Sequence, residues 1–113
     1  MPAAQAHSNA VEALRALYAC YRGTERMWVV SYRDVDLVPA LQEPMHAVGD
    51  YLKAYAEALL APWPKRKRTK PLRAAATLAV QFASWRTLAA ATLSDDAIAR
   101  LMADWVRIAG DLS

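Results

Sequence analysis

The sequence predicts an all-α domain, a five-helix bundle whose last two helices form an antiparallel hairpin. Three observations lead there. Apolar residues recur at steps of three and four along most of the chain. Glycine is scarce, with 3 residues in 113, while alanine, the best helix former, is abundant. The run Trp28–Tyr32, WVVSY, has strand propensity, but nothing else in the chain offers it a partner strand. Hydrophobic residues make up 56% of the chain, above the roughly 45–50% of average proteins. Disorder is thereby excluded for most of its length, and a core without disulfide staples is within reach.

The first helix is expected to start at Asn9, which with Glu12 has the form of a capping box; residues 1–7 are read as a disordered tail. Val11, Leu14, Leu17, Tyr18 and Tyr21 form its apolar stripe, and Gly23 is placed as a left-handed stop. Thr24 is expected to cap a second helix that carries Glu25 in its first turn and runs to about Asp34. A turn and a short helical piece follow. Pro44 then starts or kinks a third helix with Met45, Val48, Leu52, Tyr55 and Leu59 on one face. Pro62 and Pro64 end it and open a basic linker over residues 62–70. A fourth helix is expected from Pro71 to about Ala91, apolar on almost every side. Ser94 caps the last helix, whose stripe is Ile98, Leu101, Met102, Trp105 and Ile108, and Gly110 is expected to end it.

Charge and cysteine content exclude several classes. One cysteine rules out a disulfide scaffold or a thiolate zinc cluster within the chain. The longest uncharged helical run, residues 74–85, is shorter than the roughly 20 residues a membrane helix needs. The N-terminus lacks the charged and apolar regions of a secretory signal, so the expected compartment is the cytoplasm. Residues 65–73, KRKRTKPLR, hold six of the 14 cations and no acid. The remainder carries 8 cations against 11 acids, a net −3, so the pI of about 9.2 reports one loop and not a basic surface. Specific DNA binding by this chain is therefore not expected, because phosphate contact needs a placed basic face.

Chemical constellations are few. Glu43 and His46 have the Glu-x-x-His spacing of carboxylate-bridged metal bundles, but the chain holds only four glutamates and one further histidine, His7, so no metal site or cofactor is expected. Cys20 has no base placed beside it by the sequence and is expected as a small buried hydrophobe. The Lys65–Arg68 run reads as a solvated loop. With no catalytic set, the chain is read as a non-enzyme. Four tryptophans and five tyrosines supply the material of an apolar ligand cavity. Trp28, Tyr32, Tyr55 and Phe82 are its expected walls, and Ser31, His46 and Gln81 are the polar groups expected to orient a ligand. The terminal hairpin carries more apolar surface than three short helices cover. A homodimer is expected to bury Trp85, Leu88, Ile98, Leu101, Met102 and Trp105.

Three stretches resemble the C-terminal ligand-binding and dimerisation region of TetR-type transcriptional repressors. They are LRALYACYRGTERMW (14–28), RDVDLVPAL (33–41) and FASWRTLAAATLSDDAIARLMADWV (82–106). Their order and spacing carry the likeness, which with the Pro44 helix spans residues 8–113. The resemblance implies a TetR-like regulatory fold that senses a small hydrophobic effector and dimerises through its terminal hairpin. The three-helix DNA-binding head of that family has no counterpart here, so a sensor half without its reader half is implied. The alternative is a purely structural dimerisation module with a filled core.

Overall fold

The computed structural model describes residues 3–111, and every regular element among them is helical. Six α-helices follow in order: α1 Ala3–Gly23, α2 Glu25–Asp34, α3 Gln42–Leu59, α4 Lys70–Val80, α5 Phe82–Ala90 and α6 Asp95–Asp111. Short 3₁₀ turns at Pro39–Leu41 and Lys65–Lys67 lie in the connections before α3 and α4. No helix among the described residues is long and apolar enough to cross a membrane.

The helices α1 and α6 pack most extensively on one another, α4 lies against α6, and α3 lies against α4. The result is a slab measuring 44 × 32 × 19 Å, about two helix diameters thick. The predicted stripe of α1 is the stripe observed: Val11, Leu14, Leu17, Tyr18 and Tyr21 are all buried. Across from it, α6 buries Ile98, Ala99, Met102, Ala103 and Val106. Alanines on that face let the two helix axes approach closely. Arg15 and Arg22 of α1 pair with Asp96 and Asp95, the carboxylates of the first turn of α6. There they also complement the helix dipole.

The expected Pro71–Ala91 helix is two helices. At Gln81 the backbone turns extended, with φ −72° and ψ 136°. A straight helix would pair the carbonyls of Ala79 and Val80 with the N–H groups of residues 83 and 84. At the break those carbonyls accept instead from α1, where Tyr18 donates its hydroxyl to Ala79 O at 2.6 Å and Tyr21 to Val80 O at 2.5 Å. All four residues are buried, so the break is satisfied from within the core.

Helix ends also differ from expectation. The first helix begins at Ala3, where a tail over 1–7 was expected; His7 Nε2 lies 3.5 Å from Asp104 Oδ1 of α6, which ties down the first turns. Residues 1 and 2 of that tail lie outside the described residues. No glycine has a positive φ. Gly23 is the last residue of α1, and Gly110 lies within α6, where a Cβ would come within 2.6 Å of the Trp63 indole. Thr24 stands at the N-cap position of α2, but its side chain makes no capping bond. Its hydroxyl donates to Cys20 O and accepts from Trp28 Nε1.

The one left-handed non-glycine among the described residues is Thr92, at φ 66°. Thr92 N donates to Ala89 O, and Leu93 N reaches Leu88 O at 3.4 Å. These are the paired bonds of a Schellman stop, which turns the chain from α5 into α6. Ser94 caps α6 as expected, accepting from Ala97 N at 3.1 Å.

Candidate functional site

Although α1 packs chiefly on α6 and α3 on the neighbouring α4, α1 and α3 barely touch each other, and a cleft opens between them. Its volume is about 390 Å³. One wall is Ala16, Leu17 and Cys20 of α1; the other is Ala47, Val48, Tyr51, Leu52 and Tyr55 of α3; Trp28 of α2 lines it as well. No charged side chain lines it. The cleft sits there because α1 and α3 each present a second apolar stripe, beside the one turned to the core.

Trp28 separates this cleft from an aromatic cluster. The Trp28 and Phe82 rings lie 5.8 Å apart and nearly parallel, and Tyr32 stacks on both. Tyr21 meets Trp28 and Phe82 edge-on at 5.1 and 5.3 Å, the arrangement the ring quadrupoles favour. Trp85 extends the cluster, donates Nε1 to Asp95 Oδ1 at 2.9 Å, and lies under the Arg22 guanidinium at 5.3 Å.

Polar groups around the site are mostly committed. The Trp28 indole N–H goes to Thr24, and the Tyr55 hydroxyl donates to Ala13 O across the cleft. Burial raises the pKa of Tyr55 and of Tyr32 above that of a free phenol. Burial also pushes the Asp95 carboxyl upward, but hydrogen bonds from Arg22 and Trp85 outweigh it and hold the group below the usual carboxylate range. Cys20 was expected to be buried and is exposed instead, on the rim of the cleft.

Of the seven expected ligand residues, the cleft takes two, Trp28 and Tyr55. Tyr32 and Phe82 stand behind Trp28 in the aromatic cluster. Ser31 is half-buried in α2 and does not line the cleft; His46 is exposed at the start of α3; Gln81 lies at the α4–α5 break. Of the residues missed, Leu17 and Val48 stand in the apolar stripes the sequence assigns to the core, and Tyr51 lies outside those stripes. Glu43, like His46, is exposed, and no group of three or more His, Cys, Asp or Glu residues that could hold a metal ion occurs among the described residues.

The expected dimer residues divide as well. Trp85, Ile98 and Met102, at 1%, 0% and 1% exposure, belong to the core of the single chain and present no surface to a partner. Leu88 and Leu101 are half-buried, and Trp105 is 46% exposed. Trp105, Leu78 and Leu88 border a shallow hollow between the α4–α5 segment and α6.

Fold and cleft together define a helical bundle with a ready-made apolar groove. Compared with protein-family models, curated proteins and solved structures, the chain matches none.

Proposed function

We propose that this chain is a ligand-sensing, dimerising regulatory domain of the TetR type, binding a small hydrophobic effector and carrying no catalytic activity. The observation that supports the reading is the cleft of about 390 Å³ between α1, α2 and α3. It falls within the range of ordinary ligand sites, about 300–1,000 Å³, and its walls are almost wholly apolar. Its Trp28 wall continues through Phe82 into the α4–α5 break, so a ligand there would press on the element next to the hairpin. In this reading two copies pack through Leu78, Leu88, Leu101, Trp105 and Ile108 of α4, α5 and α6. Leu78, Trp105 and Ile108 are 43%, 46% and 47% exposed, surface that a second copy of the same patch would cover. Sequence-specific DNA binding is not part of it.

Compact uncharged probes such as naphthalene test the sensing reading. A probe at a hundred times its dissociation constant stabilises the fold by about 2.7 kcal/mol, a readily measured rise in melting temperature. Ala47→Trp, which fills the cleft, should abolish that rise. Absence of any rise with the unmodified chain would favour the purely structural module. Trp105→Glu should halve the mass seen in sedimentation; an unchanged mass sinks the dimer.

A further inference from the structure

The cleft is not the end of the gap between α1 and α3. Beyond Tyr55 lies a second, mostly apolar cavity of about 280 Å³, lined by Ala6, Asn9 and Ala13 of α1 and by Ala58, Leu59 and Pro62 on the other side. Tyr55 lines both cavities, and its hydroxyl is tied to Ala13 O, so its side chain bridges α3 to α1 at the boundary between them. From Cys20 to Ala6 the furrow follows 14 residue steps of α1, about 21 Å at the helical rise. No charged side chain lines either cavity.

The two ends of the furrow differ. At one end stands the Trp28 ring, whose only N–H is already donated to Thr24. The other end opens at Ala6 and Pro62. Lys65 follows Pro62 by three residues, within about 10 Å of chain. Two cations of that segment, Arg68 and Arg73, are taken up by Glu57. Lys65, Arg66, Lys67 and Lys70 have no ion-pair partner among the described residues. A narrow uncharged furrow with an aromatic wall at one end and unpaired cations at the other is complementary to a linear amphiphile with an anionic head.

We infer that the effector is a free long-chain fatty acid, its alkyl chain laid along the α1–α3 furrow over Tyr55 and its carboxylate met by Lys65, Arg66 and Lys67. The inference rests on the sensing reading above and narrows its ligand class. An extended chain of about sixteen carbons spans the furrow, since a zigzag of C–C bonds of about 1.5 Å advances about 1.3 Å per bond. Each methylene that enters it should tighten binding by up to about fourfold.

The test is calorimetric titration of the full chain with straight-chain carboxylates from octanoate to octadecanoate and with the matching alcohols, each below its micelle concentration. Affinity should climb with chain length, level off near hexadecanoate, and favour each acid over its alcohol. Replacing Lys65, Arg66 and Lys67 together by Gln should weaken hexadecanoate about tenfold, the worth of a few exposed ion pairs, and leave hexadecanol unchanged. Ala58→Trp, on the exposed side of α3 beyond Tyr55, should remove the advantage of hexadecanoate over octanoate while octanoate still binds. Chain-length independence, equal affinity for acid and alcohol, or an intact hexadecanoate affinity in the Gln variant would overturn the inference. So would a dimer that Ala58→Trp dissociates and Trp105→Glu does not, or binding only to anionic phospholipid vesicles. If naphthalene binds and hexadecanoate does not, the fatty-acid assignment fails and the sensing reading stands; if neither binds, both fail.

Discussion

Replacing Tyr18 or Tyr21 by Phe removes one oxygen and little volume, so no cavity confuses the result. Each change leaves a carbonyl at the α4–α5 break without its hydroxyl donor. Ala79 and Val80 are 0% and 1% exposed, so water cannot take the place of the lost donor. A buried acceptor left in that state costs about 1–3 kcal/mol, a large share of the roughly 5–15 kcal/mol that holds a domain together. The double variant should lose more than either single one but less than their sum, since the two bonds brace one break. Urea unfolding followed by far-ultraviolet circular dichroism at neutral pH reads these losses. A second readout comes from alkaline pH. Burial raises both phenols well above their ordinary value of 10.0, with neighbouring tyrosines adding to the effect. The folded state therefore keeps protons that the unfolded state releases above pH 10, and stability falls as pH rises past that point. The double variant should show a flatter alkaline limb. Losses below about 0.3 kcal/mol in both single variants, within the error of such comparisons, would refute the claim that these hydroxyls hold the break.

Further outcomes follow from the helix ends. Thr92→Gly should stabilise the protein by about 1 kcal/mol in urea, because relief of left-handed strain outweighs the chain entropy glycine adds. Gly110→Ala should cost about 1–3 kcal/mol by driving a Cβ into the Trp63 indole, with a change in tryptophan emission as the ring moves. Asp95 is held below the ordinary carboxylate pKa, so its contribution is present above about pH 4 and is lost as pH falls through the depressed value. Asp95→Asn should lower the melting temperature at pH 7 and flatten its fall on acidification.

Local rules in the sequence carried α1 nearly whole, since its five stripe residues are buried as spaced. They failed on α6 by one rotation step. Leu101, Trp105 and Ile108 looked like the packing stripe, but Ala99, Ala103 and Val106 share the buried face with Ile98 and Met102. A count of large residues misses an interface built to let axes close on alanine. The α4–α5 break was illegible for a different reason. Gln81 has no proline or glycine beside it, and what satisfies the break lies 59 and 61 residues away in sequence. The left-handed stop went to Thr92, where a threonine gives no local signal, while the two glycines expected to supply stops adopt ordinary helical conformations or make room for Trp63. Trp28 and Tyr55 were legible as cavity material. Ser31, His46 and Gln81 were chosen for polarity alone, and the face each occupies is set by packing that no short window contains.

Tyr55 supplies the control that separates an orphaned carbonyl from the mere loss of a hydroxyl. Its hydroxyl also donates to a backbone carbonyl on α1, that of Ala13. But Ala13 lies mid-helix, where its carbonyl already takes the N–H of residue 17. The tyrosine bond is therefore a second bond to a satisfied acceptor, in a half-buried place beside an open cleft. Tyr55→Phe should cost only the net worth of an ordinary hydrogen bond, about 0.5–1.5 kcal/mol, at the low end because water reaches the site. Tyr18→Phe removes the same atom from the same residue type and should cost clearly more. The difference is the penalty for stranding a buried carbonyl at a broken helix. Urea midpoints of the two variants, measured side by side, give it directly. Equal losses would mean that the break at Gln81 is held by packing of Phe82 and Trp85 against α1 and α6, and that the tyrosine hydroxyls merely occupy the space the break leaves.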